Sequence, residues 1–462
     1  MRNILMPFLC LSFLLITGCD VTQVNIDPTR VSGVALRQQL PIALLQTAKN
    51  QWGTPGRASA GFVQYFYGSG CWPNYFVPPV TTNRFWSDGV YAGALKDANN
   101  IVIQATEEEQ PYYRAIARII MAENYGMLAS MFGEVPFSEA LEGSNQLQPA
   151  YDPQDVVYAG VQDLLDQAIE DLKMPPAAAG PASDDLVYGG DAEAWIACAY
   201  ALKARYAMHL SRRDEDAGAK ALEWIKQSFS DLTEQANFQW NKAEGAENPL
   251  ATYGYARPNT MAVDKRFQDS LANHADPRID YYMVFDGWDY QYFDPNTSLR
   301  WSDSDAAIPI IAYAELLFLK AEALLYTQAS MDQVEETLKM AIRANMADIG
   351  VPGTDAEIYI NQRADLSNFD YDQSLSRIIE EAYYAYFGYA PQQAWTNWRR
   401  TGYPELDPDP FGNSAFNPNG IIPVRFLYPE IEQTTNYTNW QAATMRQGGA
   451  LLSSDTWAFA DY

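Results

Sequence analysis

The sequence has few of the residues on which enzyme catalysis usually depends. It contains only two histidines, His209 and His274, and four cysteines. It has no HExxH, CxxC, P-loop, GxSxG or GxGxxG motif, each of which needs particular residues at fixed offsets. Glu380 and Glu381 are adjacent in a helical pattern, where neighbouring side chains point about 100° apart and do not face each other. We therefore predict a protein that is not an enzyme, needs no cofactor and has no metal site.

Positive charge is also scarce. The chain has 31 lysine and arginine residues against 58 aspartate and glutamate residues, which gives a formal net charge of −27. Because Arg2 is the single charge in residues 1–19, residues 19–462 carry −28. This acidity excludes nucleic acid as a ligand, since a phosphate backbone would be repelled. Asp303 and Asp305 offer oxygens to calcium, but they lack the spacing and the terminal glutamate of an EF-hand loop.

Long apolar runs are absent after the first twenty residues, which are typical of an export signal. Arg2 precedes an apolar run over 4–18, which is too short for a membrane span of about 20 residues. The run ends in Leu15-Ile-Thr-Gly-Cys19, a lipobox with small residues before the cysteine. We predict a signal peptide over 1–18 and a mature chain that begins at lipidated Cys19. Two or three acyl chains give stable anchoring to a membrane outside the cytoplasm.

The other cysteines do not define a disulfide framework. Cys10 leaves with the signal peptide, Cys71 lies in a loop-like segment and Cys198 lies in a helical pattern. The sequence leaves open whether Cys71 and Cys198 pair. Since no later apolar run reaches spanning length, residues 19–462 are expected to be soluble and large enough for one extended or two compact cores.

Helical periodicity dominates the rest of the sequence. Asp152, followed by Pro153, and Asp191 are each predicted to cap the start of a helix. Apolar residues recur at helical spacing in four main segments and two shorter ones. The predicted helices cover 111–131, 153–172, 191–206, 217–229, 314–325 and 331–345.

Successive helices form pairs of about 34 residues with alanines at packing positions, which is typical of tetratricopeptide-like units. Long segments separate these pairs. We predict an all-α fold, in which one domain over 19–462 forms a tetratricopeptide-like helix-pair scaffold with irregular loop inserts at about 52–91 and 240–305. Loops on a rigid scaffold commonly carry the binding residues of a protein.

Aromatic residues are concentrated within the two inserts. Residues 62–91 include ten aromatic residues and residues 281–301 include eight. Because Gly, Pro, Asn and Asp interrupt both segments, the rings cannot all lie on a regular buried face. Exposed rings bind sugars and peptides by stacking, whereas the alternative is that they pack the loops onto the helices. The candidate ligand-binding residues, each set among turn residues, are Trp72, Tyr75, Trp86, Trp288 and Tyr290.

Several motifs, in their order along the chain, resemble those of the SusD/RagB-like nutrient-binding outer-membrane lipoproteins. Phe-Gly-Glu-Val-Pro and Arg-Arg-Thr-Gly-Tyr-Pro are the most specific in combination. The resemblance extends nearly from end to end. Its motifs lie at Cys19, 124–141, 151–154, 276–278, 314–323, 378–381, 398–404 and 425–429.

The resemblance implies a helical lid over a SusC-type TonB-dependent outer-membrane transporter, lipid-anchored and exposed at the cell surface. Such lids capture oligosaccharides, or in some members peptides, and deliver them to the transporter. Family sugar-binding aromatics are not fixed in position, so the resemblance selects none of the candidates. It places Arg399 and Arg400 in fold positions, where we expect them to pair with helix carboxylates, and Pro404 at the end of a turn.

Two other functions remain compatible with the sequence. A lipid-anchored glycoside hydrolase would need two carboxylates separated by about 5 Å or by about 6.5–9.5 Å. Convergence of two acids at the aromatic residues would favour that enzyme. An interaction scaffold without a small ligand would instead lack an aromatic-lined cleft. Neither the ligand nor the membrane leaflet is specified by the sequence.

Overall fold

The computed structural model describes residues 34–177, 180–292, 299–301 and 303–460. From Leu36 onward the chain forms one compact unit. The predicted signal peptide and lipidated Cys19 lie outside the described residues. Within the described part, no helix has the length and apolar character needed to span a membrane.

Helices make up most of the described chain, and the prediction of an all-α fold is confirmed. The α-helices are α1 (Leu36–Gln51), α2 (Thr54–Phe62), α3 (Leu95–Glu107), α4 (Pro111–Phe132), α5 (Gln154–Leu172), α6 (Ala192–His209), α7 (Ala217–Ile225), α8 (Pro249–Ala256), α9 (Lys265–Asn273), α10 (Ile279–Tyr282), α11 (Tyr313–Tyr326), α12 (Met331–Ile349), α13 (Gly353–Arg363), α14 (Tyr371–Tyr386), α15 (Pro391–Thr401), α16 (Glu430–Thr435) and α17 (Tyr437–Arg446).

Short strands and other helical turns lie between these helices. A π-helix covers Phe85–Ala94, and 3₁₀ turns cover Pro79–Thr82, Gly143–Asn145 and Leu232–Glu234. The strands form three antiparallel pairs, β1 with β3, β2 with β6 and β4 with β5. Their bounds are β1 (Phe66–Tyr67), β2 (Asn237–Phe238), β3 (Ala262–Val263), β4 (Val284–Phe285), β5 (Tyr290–Gln291) and β6 (Ile308–Pro309).

Helices that follow one another in sequence pack side by side. α3 packs on α4, α4 on α5, α6 on α7 and α11 on α12. Short connections favour such neighbours, because each amphipathic face must be covered by another element. Every residue in 122–132 of α4 is buried. Thus α4 is a central helix of the core.

The two predicted helix caps have different outcomes. The carboxylate of Asp191 accepts hydrogen bonds from the backbone N–H groups of Glu193 and Ala194, as predicted for the N-cap of α6. The prediction for Asp152 is wrong, because its carboxylate accepts from the backbone of Phe137 and Ser138 instead. Asp152 therefore holds the chain after α4, and the backbone N–H groups at the start of α5 receive no side-chain cap.

Buried ion pairs connect helices across the core. The guanidinium of Arg205 in α6 contacts Glu315 of α11 at 2.6 Å and Glu123 of α4 at 3.1 Å. Burial alone would lower the pKa of Arg205, but the two carboxylates raise it well above its ordinary value. Arg278 likewise contacts Glu381 at 2.8 Å. Removing one partner of such a pair leaves a buried charge uncompensated, so these contacts fix how the helices are arranged.

The arginines of the Arg-Arg-Thr-Gly-Tyr-Pro motif have different partners. Arg400 forms a buried ion pair with Glu322, as expected. Arg399 contacts no carboxylate among the described residues. Its guanidinium donates to the Val424 carbonyl at 3.2 Å and lies 3.7 Å from the centroid of the Trp395 ring. The expectation of a carboxylate partner is therefore wrong for Arg399, whose charge is held by carbonyl dipoles and aromatic faces.

Cys71 and Cys198 are both free and buried, which answers the pairing question that the sequence left open. Both segments predicted as inserts contain helices as well as loops. The first includes α2 and most of the π-helix, and the second includes α8 to α10. These short elements hold the aromatic residues of the inserts in defined positions.

Candidate functional site

One wall of the candidate site begins at strand β1. Phe66 pairs with Val263 and Tyr67 pairs with Ala262 in the antiparallel β1–β3 ladder. Because successive strand residues point to opposite faces, Phe66 enters the core while Tyr67 points outward. The Phe66 side chain is fully buried, whereas Tyr67 is 52% exposed.

The loop after β1 is held in tight turns. Trp72 and Tyr75 both have left-handed backbone conformations, with φ of 49° and 58°. The Tyr75 N–H donates to the Trp72 carbonyl at 2.9 Å, and the Gly70 N–H donates to the Thr260 carbonyl at 2.8 Å. Residues held in this region cost about 1–3 kcal/mol each and cluster at ligand sites. The turns leave Trp72 partly exposed and Phe76 47% exposed.

The second wall comes from a distant segment of the chain around Asp409 and Phe411. The Asp409 N–H donates to the Tyr75 hydroxyl at 2.9 Å, which joins the two walls. A Cβ on Gly412 would lie 2.6 Å from the Tyr75 ring, so this glycine permits close packing of the segment. Oδ1 of Asp409 accepts from the Phe411 N–H at 2.8 Å. Phe411 projects outward and is 77% exposed.

The two walls enclose an open cleft of about 500 Å³, which we call the aromatic cleft. Four rings, a carboxylate, a side-chain amide and a hydroxyl reach it. Flat apolar rings with a few polar groups suit a ligand that has both C–H faces and hydroxyl groups. The lining residues are Tyr67, Gly68, Ser69, Trp72, Pro73, Asn74, Phe76, Asp409 and Phe411.

A hairpin near this cleft presents another aromatic residue. Strand β5 lies next to β3, which itself pairs with β1. Trp288, in the turn between β4 and β5, is 95% exposed. Oδ1 of Asp286 accepts from the Trp288 N–H at 2.8 Å and from the Asp289 N–H at 2.9 Å. These bonds lower the pKa of Asp286 and hold the turn in one conformation.

The structure does not bring the five predicted ligand residues together on one surface. Trp72 lines the aromatic cleft, Trp288 projects from the hairpin, and Tyr290 is half-buried beside Phe285. Tyr75 is buried, so the expectation that its ring faces solvent is wrong. It serves instead as a positioning residue between the two walls.

Trp86 is also buried, contrary to the expected exposure. Its ring contacts the rings of Tyr91 and Phe132, and its Nε1 donates to Glu432 at 3.2 Å. The edge of Trp86 reaches a separate cleft of about 380 Å³ between the π-helix and α16. Aromatic residues in 85–91 therefore pack the first insert onto α4. This agrees with the alternative interpretation, in which the rings pack the loops onto the helices.

Three exposed rings of the cleft, Tyr67, Phe76 and Phe411, were not among the predicted site residues. Tyr67 and Phe76 lie in the aromatic-rich segment, but β1 has only two residues and both are aromatic, so the sequence does not indicate which of the two is exposed. Phe411 lies in Asp-Pro-Asp-Pro-Phe-Gly, where closely spaced prolines and a glycine indicate a turn or loop. That signal identifies Phe411 but does not show that it meets Trp72.

His209 and the two cysteines, which are candidates for acid–base or nucleophilic chemistry, are buried and do not line the aromatic cleft in the described structure. His209 is buried between Tyr158 and Gln393, and burial lowers its pKa to about 3. Burial also raises the pKa of the Cys71 and Cys198 thiols above the usual range. Asp409 is the one carboxylic acid that lines the cleft over the described ranges.

A helical scaffold that holds an open aromatic cleft is the architecture of a binding protein. A family model described as starch-binding and associating with the outer membrane, SusD-like_2, matches residues 28–429. The chain belongs to this SusD-like family of outer-membrane-associated binding proteins. The resemblance inferred from the sequence motifs is therefore confirmed.

Several solved structures have the same fold. A SusD-like protein from Bacteroidetes has a TM-score of 0.79 at 20% identity, covering 93% of this chain and 100% of its own. A chitin-binding SusD homologue from Flavobacterium johnsoniae has a TM-score of 0.77 at 20% identity, with 92% and 99% covered. A SusD/RagB family protein from Bacteroides thetaiotaomicron has a TM-score of 0.75 at 22% identity, with 93% and 100% covered. A comparison with curated proteins finds no match.

Proposed function

We propose that this protein is a cell-surface lipoprotein that captures an oligosaccharide in the aromatic cleft and delivers it to a SusC-type TonB-dependent transporter. The observation that carries the proposal is the meeting of Trp72 and Phe411, from segments more than three hundred residues apart, in one open cleft. Their stacking faces and the polar groups between them match the two kinds of surface on a sugar ring.

Two findings support an oligosaccharide rather than a peptide. The matching family is described as starch-binding, and two solved relatives are described as chitin-binding. In the aromatic cleft, Asn74 and Asp409 lie among the rings, where the amide can donate to and accept from sugar hydroxyl groups and the carboxylate can accept from them. The binding experiment described below includes a peptide and so distinguishes peptide binding from oligosaccharide binding.

The geometry favours binding over glycoside hydrolysis. A glycosidase places two carboxyl groups about 5–9.5 Å apart across the scissile bond. In the described part of the chain, Asp409 is the sole acid lining the aromatic cleft, and its Oδ1 already accepts from the Phe411 backbone. The presence of an aromatic-lined cleft also argues against a scaffold that has no small ligand.

The proposal is tested by substituting exposed rings and measuring oligosaccharide binding by calorimetry. Tyr67→Ala and Phe411→Ala each remove one stacking face, so we expect about tenfold weaker binding for a stacking contact worth about 1.4 kcal/mol. Tyr437→Ala is the matched control, since Tyr437 is 53% exposed, close to the 52% of Tyr67, but lies on α17.

Maltohexaose, chitohexaose and an unstructured peptide serve as test ligands. Binding of an oligosaccharide that is weakened by Tyr67→Ala and unchanged by Tyr437→Ala supports the proposal. Binding of the peptide alone, or equal effects of the two substitutions, would assign the aromatic cleft another role. Unchanged melting temperatures establish that the variants remain folded.

A further inference from the structure

The aromatic cleft has no positively charged lining residue in the described parts of the chain. Four aromatic side chains, small residues and Asn74 surround a single carboxylate, that of Asp409. Acidic sugars such as uronates and sulfated residues are usually held by arginine or lysine, because these supply charge-assisted hydrogen bonds. The cleft offers such a ligand a carboxylate instead.

Two arginines near the aromatic cleft, Arg266 and Arg57, form contacts with other parts of the protein. Arg266 contacts Asp264 at 2.7 Å, donates to the Asp407 carbonyl at 3.2 Å and faces a neighbouring cleft. Arg57 lies behind the first wall, where it donates to the Gly70 carbonyl at 3.3 Å and stacks 4.4 Å from the Tyr253 ring centroid. Neither side chain lines the aromatic cleft.

The exposed hairpin shows the same charge pattern. Trp288 lies between Asp286 and Asp289, and residues 284–291 contain no lysine, arginine or histidine. The whole chain carries a formal net charge of −27. The aromatic residues of the cleft and of the hairpin therefore have carboxylates, and no lysine or arginine, among the residues that line the cleft or form residues 284–291.

Asp409 is positioned to accept hydrogen bonds from the hydroxyl groups of a ligand. Oδ1 accepts from the Phe411 backbone at 2.8 Å, and no described residue donates to Oδ2. Only 8% of the residue is exposed, so the carboxylate is held at the wall of the cleft. An ionised carboxylate accepts hydrogen bonds and donates none, so it suits a neutral hydroxyl and opposes a second carboxylate.

We infer that the aromatic cleft selects uncharged oligosaccharides and rejects chains that carry carboxylate or sulfate groups, with Asp409 as the specificity-determining residue. This inference rests on the proposed glycan-binding function and deepens it. The ligand class follows from charge: neutral sugar chains satisfy both the rings and the acceptor, whereas anionic chains meet the Asp409 carboxylate in a cleft whose described lining includes no lysine or arginine.

The test compares maltohexaose and chitohexaose with the same oligosaccharides after oxidation of their primary hydroxyl groups to carboxylates. Within each pair the sugar backbone is unchanged and only the charge differs. We expect a neutral parent to bind and its oxidised form to bind at least tenfold more weakly at 20 mM salt. The difference should shrink at 500 mM salt, because screening weakens repulsion.

Asp409→Asn tests the role of the carboxylate, because asparagine keeps an oxygen for the Phe411 N–H while removing the charge. We expect the discrimination between neutral and oxidised ligands to fall at least threefold. Asp407→Asn removes the same charge two residues away, outside the aromatic cleft, and should reduce the discrimination less than Asp409→Asn does.

The outcomes separate this inference from the proposed function. Equal binding of neutral and oxidised ligands, or equal effects of the two substitutions, would overturn the inference while leaving glycan binding intact. Preferential binding of the oxidised ligand would also overturn it. If no oligosaccharide of either kind binds, the proposed function fails and the inference fails with it.

Discussion

At the residue scale, exposure separates side chains that share one chemistry. Trp86 is enclosed by other rings, whereas Trp288 is almost fully exposed on its hairpin. Burial in a packed cluster gives Trp86 a structural role, since its removal leaves a cavity whose lining loses dispersion contacts. Removing the Trp288 ring leaves no such cavity, and the exposed ring is available to a ligand or a partner.

This difference predicts opposite effects of two tryptophan substitutions. Trp86→Ala should lower the free energy of unfolding by about 3–5 kcal/mol, as for large-to-small substitutions in a core. Trp288→Ala should change it by no more than about 0.5 kcal/mol, as for an ordinary surface site. Urea unfolding followed by circular dichroism measures both. Similar losses for the two variants would contradict the burial described above.

His209 predicts a dependence of stability on pH. Its pKa is lowered to about 3, mainly by burial, from an ordinary value of 6.5. The unfolded chain therefore binds a proton between these values while the folded chain does not. Its stabilising effect is complete above pH 6.5 and is lost as pH falls towards 3. At pH 4.5 the loss relative to pH 7 is roughly 2–3 kcal/mol, from about 1.36 kcal/mol per pKa unit.

The measurement is urea unfolding of wild type and His209→Asn at pH 7 and pH 4.5. Asparagine does not titrate, so the variant should lose less stability than wild type between the two pH values. Titrating carboxylates affect both proteins alike, which makes the difference between them diagnostic. An identical pH dependence in the two proteins would show that His209 does not carry this effect.

At the element scale, α4 and α6 approach closely at a glycine. A Cβ on Gly126 would lie 2.3 Å from the Tyr206 ring. The Tyr206 hydroxyl donates to Glu123 at 2.7 Å, so the ring is held in place. Helix propensity alone favours alanine over glycine by about 1 kcal/mol. In this contact the steric cost opposes that preference.

We therefore predict that Gly126→Ala destabilises the protein by about 1–3 kcal/mol, as for overpacking of a core. Gly353→Ala is the control, because its Cβ would meet open space at the start of α13. That substitution should leave stability unchanged or raise it by up to about 1 kcal/mol. Thermal melts of the two variants distinguish them, and equal melting temperatures would contradict the close packing of α4 and α6.

At the scale of the whole molecule, the proposed lipid anchor predicts the fate of a Cys19 variant. Cys19→Ala removes the only thiol at the end of the lipobox, so the protein should be released from membranes or remain as an unprocessed precursor. Metabolic labelling with palmitate followed by fractionation measures this. Wild type should be labelled and sediment with membranes, and labelling of the variant would contradict the proposed lipid anchor.

Gentle detergent extraction of wild type should also recover a large barrel protein, the proposed transporter.

Local sequence patterns were sufficient for much of the scaffold. The helix over 111–131 is observed as Pro111–Phe132, and Asp191 caps α6 as predicted. Both signals depend on residues within a few positions of one another. Asp152 shows where such reasoning stops, because its carboxylate finds donors fifteen residues earlier that compete with its own helix.

The aromatic cleft shows more clearly the difference between what local sequence patterns predict and what distant contacts decide. Composition indicated that the first insert is rich in binding-type residues, and Trp72 does line the cleft. Which rings face solvent depended on the pairing of β1 with β3 and on the hydrogen bond from Asp409 to Tyr75. Tyr67 and Tyr75 have the same side chain in the same segment, yet one is exposed and the other buried.

The sequence by itself determined the helical class, the acidic charge, the lipobox and, through its ordered motifs, the family. These follow from spacings of a few residues or from sums over the chain. Only the tertiary structure brought Phe411 to Trp72 and left Asp409 as the charge in their cleft. The physical reason is that burial and charge environment arise from contacts between distant segments, which no local pattern encodes.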